Sequence, residues 1–84
     1  SVIISGDANI GNNCIFHGNN CVGNNGKSAK APLIHDNVDI GFGAAIIGNV
    51  EIADNVKIGA GAVVTRSCYK KGAVLVGVPA KELK

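Results

Sequence analysis

Apolar residues recur at every sixth position along almost the whole chain. Ile, Val or Phe fills ten of the twelve places in this column, and small, mostly apolar residues follow four places later in each hexad. Neither the 3.6-residue period of an amphipathic helix nor the two-residue alternation of a long strand fits this pattern. The pattern instead predicts one short strand in each hexad. The twelve places are Ile4, Ile10, Phe16, Val22, Ser28, Ile34, Ile40, Ile46, Ile52, Ile58, Val64 and Lys70.

Asn or Gly recurs at a second set of positions, midway between consecutive members of the apolar column. Both residues tolerate the left-handed backbone region, so these positions predict a tight turn in every hexad. A single hexad cannot bury its own inward face, and hexads must therefore wind into a coil and stack. The sequence predicts an all-β fold, a parallel β-helix that forms one domain over residues 1–84. The turn positions are Asn13, Asn19, Asn25, Asn37, Gly43, Asn49, Asn55 and Gly61.

The apolar column is interrupted at Ser28, inside the polar stretch "NNGKSAKAPLI" of residues 24–34. Val22 and Ile34 are twelve residues apart, so the count in sixes is preserved across the interruption. We therefore expect that one side of one coil is pushed outward as a protruding loop near residues 24–33. Irregular segments carried on rigid scaffolds often hold binding or catalytic residues. A surface bulge without a function is the alternative.

Composition and charge narrow the classes of function. The 84 residues are 46% hydrophobic but only 4% aromatic, which fits a thin, repetitive interior. Residues 1–56 carry a charge of −3 and residues 57–84 one of +5, so the basic end is either a solvated surface or a site for a small anionic ligand. Without a dense basic run or aromatic stacking platforms, nucleic acid is not an expected partner. No apolar run is long enough for a membrane span, and three cysteines argue against a disulfide framework and for a cytoplasmic protein.

The repeats "IGNVEIADNVKIGAG" (47–61) and "IGAGAVV" (58–64) resemble those of the hexapeptide-repeat acyltransferases. This resemblance implies a left-handed β-helix with three hexads per coil, assembled as a homotrimer. The segments "GNNGKSAKAPLI" (23–34) and "GVPAK" (77–81) are similar to serine O-acetyltransferases and related sugar O-acetyltransferases. They imply transfer of an acetyl group from acetyl-CoA to a hydroxyl of a small amino acid or sugar. They also imply that the chain is the C-terminal part of a longer protein.

The same resemblance implies a cofactor groove between neighbouring subunits, which the loop overhangs. Asn24 and Asn25 would face the cofactor, Phe42 and Ala60 would stack along one edge in successive coils, and Lys81 would lie near the CoA phosphates. The family usually has alanine at the place of Phe42, so this ring narrows the groove or stacks on it. Lys30 stands where the family often has arginine. The candidate cofactor contacts are Asn24, Asn25, Lys30, Phe42, Ala60 and Lys81.

The resemblance assigns no catalytic residue to this chain. The family's general base is a histidine in a "DHxxG" motif, and this motif would place it about three residues before Ser1. A second family histidine, just before the loop proline, is Ala31 here. The acceptor could then be either an amino acid or a sugar.

Counted at eighteen residues per coil, His17 and His35 should stack at one corner, about 5 Å apart. By the same count Cys14 and Cys68 share one inward face, roughly 14 Å apart and too distant for a disulfide. Three interpretations of the histidines remain: polar corner residues, contact of His17 with the acceptor, or a zinc site as in the β-helical carbonic anhydrases. The whole chain therefore has two alternatives to an acetyltransferase, a non-catalytic trimeric scaffold and a zinc enzyme.

Overall fold

A computed structural model describes residues 1–24, 26 and 30–83. Every helix or strand element in these residues is a strand, and none of the described residues lies in a helix able to cross a membrane. The short strands follow from the hexad pattern, because a turn residue ends each of them after two to four residues. The strands are β1 (Val2–Ile4), β2 (Asn9–Ile10), β3 (Ile15–Phe16), β4 (Asn20–Gly23), β5 (Leu33–Ile34), β6 (Asp39–Ile40), β7 (Ala45–Ile47), β8 (Glu51–Ile52), β9 (Lys57–Ile58), β10 (Val63–Val64), β11 (Val74–Val76) and β12 (Lys81–Glu82).

From β1 to β10, successive strands visit three sheets in turn, which makes the fold a parallel β-helix. The first sheet has the order β1-β4-β7-β10, the second β2-β5-β8, and the third β3-β6-β9-β11-β12. All neighbouring strands are parallel except β11 and β12, which pair antiparallel at the C-terminal end. The predicted all-β class and parallel stacking are confirmed.

The core lies along the helix axis and is filled by the predicted apolar column. Ile34, Ile40, Ile46 and Ile52 are at most 1% exposed, because each has a coil above and a coil below it. The column is less well covered in the first coil, where Ile4 is 42% exposed. The inward column is thus confirmed, and it is closed most tightly in the middle of the described chain.

The predicted turns are left-handed at six of the eight positions. Asn13, Asn19, Asn37 and Asn55 have φ angles between 49° and 63°, and Gly43 and Gly61 have 75° and 71°. The prediction is wrong at Asn49, because the preceding Gly48 takes the positive φ angle of 105°. Asn25 lies outside the described residues. Glycine, which has no Cβ, adopts a positive φ angle more easily than asparagine, and at this turn Gly48 takes it in place of Asn49.

The strand register corrects the prediction for residues 24–34. Ile34 pairs with Ile52, eighteen residues later, but Ile10 pairs with Ile34, twenty-four residues later. The coil that contains the interruption therefore has one hexad more than the coils above it, and no side of that coil is missing. The expectation that this stretch replaces one side of the coil is wrong, because it is inserted between β4 and β5. Residues 25 and 27–29 lie outside the described residues, and the protruding loop near residues 24–33 stays a prediction.

The inserted hexad also changes which residues stack. His17 follows β3 in the third sheet, whereas His35 follows β5 in the second, so the predicted stacking of the two histidines is wrong. Cys14 precedes β3, and Cys68 forms a bridge with Ile52 of the second sheet. The prediction that Cys14 and Cys68 share one face is wrong for the same reason. Cys14, Cys21 and Cys68 are free thiols.

Candidate functional site

Phe42 and Ala60 occupy the corner at which the chain passes from the third sheet to the first. The backbone N–H of Gly43 donates to the carbonyl of Gly18 at 2.9 Å, and the N–H of Gly61 donates to that of Phe42 at 2.8 Å. Gly18, Phe42 and Ala60 therefore occupy matched places in three successive coils, and we call this row the groove edge. The predicted stacking of Phe42 and Ala60 along one edge is confirmed.

The Phe42 ring lies over Gly18, one coil below. A Cβ atom added to Gly18 would lie 3.3 Å from both Cδ1 and Cε1 of the ring, and Gly18 has a φ angle of +127°. The positive φ angle strains any other residue at this place, and a Cβ would also force the ring to shift by a few tenths of an ångström. Phe42 remains 56% exposed. The ring therefore covers Gly18 with one side and is open to solvent on the other.

A buried asparagine, Asn20, fixes the shape of this corner. It is 2% exposed, its Oδ1 accepts from the N–H of Gly18 at 3.0 Å, and its Nδ2 donates to the carbonyls of Gly41 and Ala44 at 2.8 and 3.0 Å. Three hydrogen bonds satisfy a polar group that would otherwise be costly to bury. Asn20 thus ties two coils together directly beneath the groove edge. The sequence offers one signal for it, an amide in a column of small apolar residues.

Asn24 and Lys30 lie at a different corner, between the first and second sheets. Asn24 is exposed and its Oδ1 accepts from the N–H of Gly26 at 3.0 Å; Lys30 is exposed as well. Asn25 lies outside the described residues. The four residues of β4 separate this corner from the groove edge, a distance of roughly 13 Å along the strand. Within one chain, the structure does not bring the loop candidates and the groove edge together.

His17 lies next to the groove edge, directly before Gly18. Its Nε2 is 2.7 Å from Oδ1 of Asp39, the first residue of β6, and its side chain is 49% exposed. The sequence had indicated His17 but not Asp39. The reason is the register: a count of eighteen placed His35 opposite His17, whereas the true spacing of twenty-four brings Asp39 within reach.

His35 forms a similar pair at the corner between the second and third sheets. Its Nε2 is 2.6 Å from Oε2 of Glu51. A shallow pocket here is also lined by Asp54, Tyr69 and Lys71. The described residues contain no group of three or more His, Cys, Asp and Glu side chains that could hold a metal ion. The stacked histidines on which the zinc alternative depended are not formed.

Lys81 lies in β12 at the C-terminal end of the coil, where it is exposed. It shares a pocket with Arg66, Thr65 and Pro79, so two cationic side chains face the same concavity. Nearby, Nζ of Lys70 donates to Oε2 of Glu82 at 2.8 Å, and this bond raises the pKa of Lys70 above its usual range. Sequence reasoning missed Arg66, because only the fold of residues 77–82 back over the last coil brings it beside Lys81.

The outward positions of the first sheet form an uncharged surface, which we call the first-sheet face. Its central row follows the strand pairing through β1, β4, β7 and β10, and a second row adds Gly23 and Ile47. Each of the other two sheets carries charged residues at equivalent places, such as Glu51 in the second sheet and Asp39 in the third. The central row is Ile3, Cys21, Ala45 and Val63.

Comparison with known proteins finds a family match for part of the chain and a similar protein for almost all of it. The family described as "Bacterial transferase hexapeptide (six repeats)" matches residues 31–66. A serine acetyltransferase from Buchnera aphidicola subsp. Schizaphis graminum (strain Sg) is 41% identical over 83 residues, which are 99% of this chain and 30% of that protein.

Solved structures of serine acetyltransferases are also similar to this chain. A soybean serine acetyltransferase complexed with serine matches with a TM-score of 0.91 and 37% identity, over 98% of this chain and 34% of that one. A serine acetyltransferase from Brucella abortus strain S19 in complex with coenzyme A matches with a TM-score of 0.76 and 27% identity, over 92% of this chain and 39% of that one. The chain spans about a third of the length of these relatives.

Proposed function

We propose that this chain is the β-helical, CoA-binding part of an O-acetyltransferase. It is a hexapeptide-repeat acyltransferase chain and resembles serine O-acetyltransferases over almost its whole length. The reaction is transfer of an acetyl group from acetyl-CoA to a hydroxyl of a small amino acid or sugar. The observation that carries the proposal is the 41% identity to a serine acetyltransferase over 99% of the chain. Residues 1–84 form one domain, and the coil is left-handed, as the family resemblance implies.

The placement of the candidate residues at two corners supports a homotrimer. Three copies that turn their first-sheet faces toward a common axis would place the groove edge of one copy beside the corner of the next copy that carries Asn24 and Lys30. This arrangement buries uncharged surface and leaves the charged sheets in water, as expected for a subunit interface. It also unites Phe42 and Ala60 of one subunit with Asn24, Asn25 and Lys30 of its neighbour in a single groove.

In this groove each part of acetyl-CoA meets a suitable surface. Ala60 carries a small side chain, and a Cβ added to the following Gly61 would meet no atom within 4 Å, so the backbone at this level is open to the amides of the pantetheine arm. Lys81 would hold the phosphates through charge-assisted hydrogen bonds. Asn24, Asn25 and Lys30 would cover the arm from the loop. The thioester of acetyl-CoA supplies the activated acetyl group.

The acceptor site in this proposal is at His17, which contacts the hydroxyl compound beside the groove edge. Serine is the first acceptor to test, because the soybean relative was solved in complex with serine. A sugar is the second. The three free thiols fit a cytoplasmic location.

A calorimetric titration of this chain with acetyl-CoA tests the proposal. We expect saturable binding at one site per chain, and light scattering on the same sample measures whether the chain is a trimer. Lys30→Ala should weaken binding about tenfold, which corresponds to about 1.4 kcal/mol for one lost charge-assisted contact. Lys71→Ala is the matched control, an exposed lysine at a different corner. A trimer that gives no heat up to millimolar acetyl-CoA would support the scaffold alternative and refute our proposal.

A further inference from the structure

The groove edge is bare except at one level. Gly18 and Ala60 have a hydrogen atom and a methyl group as side chains. Counted on from the pairing of β11 with β9, Gly77 continues the row one coil above Ala60, and it is exposed. Phe42 is the one residue of this row with a large side chain, and it is 56% exposed. A ligand that lies along the row therefore reaches backbone at Gly77 and Ala60 and then meets a ring.

Lys81 marks the upper end of the same corner. It pairs with Val76, the last residue of β11, and β12 is separated from β6 by β11 and β9. Three strand spacings of about 4.8 Å each place Phe42, two residues beyond β6, roughly 14 Å below Lys81.

The length of the pantetheine arm matches this distance. The arm has about twelve bonds between its phosphate ester oxygen and its sulfur, and an extended chain advances about 3.5 Å per three bonds, which gives about 14 Å. With the phosphates at Lys81, as in the proposed function, the thioester lies at the level of Phe42. The acyl group is then the part of the ligand that meets the ring.

The Phe42 ring fills the space below this level. Its Cδ1 and Cε1 lie 3.3 Å from the position of a Cβ atom on Gly18, so the ring packs over the backbone one coil below. This backbone is held in place, because Oδ1 of the buried Asn20 accepts from the N–H of Gly18 at 3.0 Å and its Nδ2 donates to the carbonyl of Gly41 at 2.8 Å. The ring and the floor beneath it therefore close the row at its lower end.

An acyl group at this level has room for few carbons. The methyl group of an acetyl thioester ends in apolar contact with the open side of the ring. A longer chain that continues along the row needs the space over Gly18, which the ring occupies, and a chain that turns away from the row stays in water. The burial that raises affinity about fourfold for each methylene is lost in both cases.

We propose that Phe42 is a specificity-determining residue whose ring closes the groove to acyl groups longer than acetyl. This inference rests on the proposed function and deepens it, because it names the residue that selects among CoA thioesters. A small side chain at this place would extend the groove by one coil of about 4.8 Å, which is the length of about four further bonds. One side chain, rather than the fold, thus sets the length of the acyl group.

Calorimetric titrations with acetyl-CoA and hexanoyl-CoA test the inference. The measured quantity is the ratio of the two dissociation constants in one protein, in which the contacts common to both ligands cancel. The wild-type chain should bind hexanoyl-CoA no more tightly than acetyl-CoA. Phe42→Ala should bind hexanoyl-CoA at least about tenfold more tightly than acetyl-CoA, because at least two further methylenes become buried.

Two further variants separate the position of the ring from its apolar character. Phe42→Leu fills part of the space over Gly18 and should give an intermediate ratio. Tyr69→Ala removes an aromatic ring that is 72% exposed and lines the pocket beside His35 at another corner, and it should keep the wild-type ratio. Thermal unfolding of each variant establishes that it is folded.

The outcomes distinguish this inference from the proposed function. An unchanged ratio in Phe42→Ala would overturn the inference and leave the proposed function intact, as would a wild-type chain that binds hexanoyl-CoA more than about threefold more tightly than acetyl-CoA. Folded Phe42 variants that bind neither thioester would also overturn it, because the ring would then hold the arm itself. A wild-type chain that binds neither thioester would refute the proposed function, and the inference with it.

Discussion

Ile4 and Ile46 have the same side chain, the same place in the hexad and the same sheet, but they differ completely in burial. Both belong to the row that runs through Val22 to Val64. Ile46 has strands on both sides and is fully buried, whereas Ile4 pairs with a neighbour on one side and is 42% exposed. In a solenoid each repeat contacts only its neighbours, so burial depends on the number of adjacent coils. Identical sequence signals can therefore have very different energetic weight.

The largest expected effect is the loss of the side chain in the middle of the row. Ile46→Ala should destabilise the chain by about 2–5 kcal/mol, because it leaves a cavity between covered coils. Ile4→Ala should cost less than about 1 kcal/mol, since water already reaches this side chain. Urea denaturation of both variants at one protein concentration measures the difference. Equal losses would show that the first coil is as tightly packed as the middle one.

A smaller effect is expected where coils approach each other too closely for a side chain. A Cβ on Gly41 would lie 2.7 Å from the backbone nitrogen of Ala60 and 2.8 Å from the carbonyl oxygen of Ile58. Gly41→Ala should therefore cost about 1–3 kcal/mol, because backbone atoms must move. At Gly6, two residues after β1, a Cβ meets no atom within 4 Å, and Gly6→Ala should be neutral or slightly stabilising. Similar denaturation midpoints for the two variants would contradict this difference in spacing.

The smallest effect concerns the turns, which should not depend on the coil. Asn13 in the first coil and Asn55 in the third have φ angles of 62° and 63°. Alanine at either place should cost about 1 kcal/mol, because a left-handed backbone is unfavourable for residues with a Cβ. Asn49, without a positive φ angle, is the control, and Asn49→Ala should be nearly neutral. A clearly smaller loss for Asn13→Ala than for Asn55→Ala would extend the difference between coils to the turns.

Much of the fold could be predicted because the hexad is a local pattern. Val22 and Ile46 report burial, and Asn37 and Gly43 report turns, each without knowledge of distant contacts. The register could not be predicted in this way. A hexad can form a side of the coil, or it can be inserted between two sides. In both cases the apolar column resumes after the same six residues, so the count in sixes does not change. Only strand pairing across the insertion, such as that of Ile10 with Ile34, distinguishes the two cases.

The candidate site shows the same division between local and long-range information. His17, Phe42 and Ala60 were found from position and resemblance, and the matched places of Phe42 and Ala60 depend only on coils above the insertion. Asp39 was missed because its contact with His17 crosses the inserted hexad. Asn20 was not singled out because an inward amide among small apolar residues has no distinct spacing, although its three hydrogen bonds shape the groove edge.

The inserted hexad between β4 and β5 has a consequence for how this scaffold can diversify. The closure entropy of a connection between two strands grows only with the logarithm of its length, so that doubling the length costs about 0.6 kcal/mol. The sheets already align β4 with β7 and β5 with β8 on either side of it. Additions or deletions at this point would therefore leave the stacking energy of the coil almost unchanged. Selection could vary the length and chemistry of this connection at little thermodynamic risk to the remaining strands.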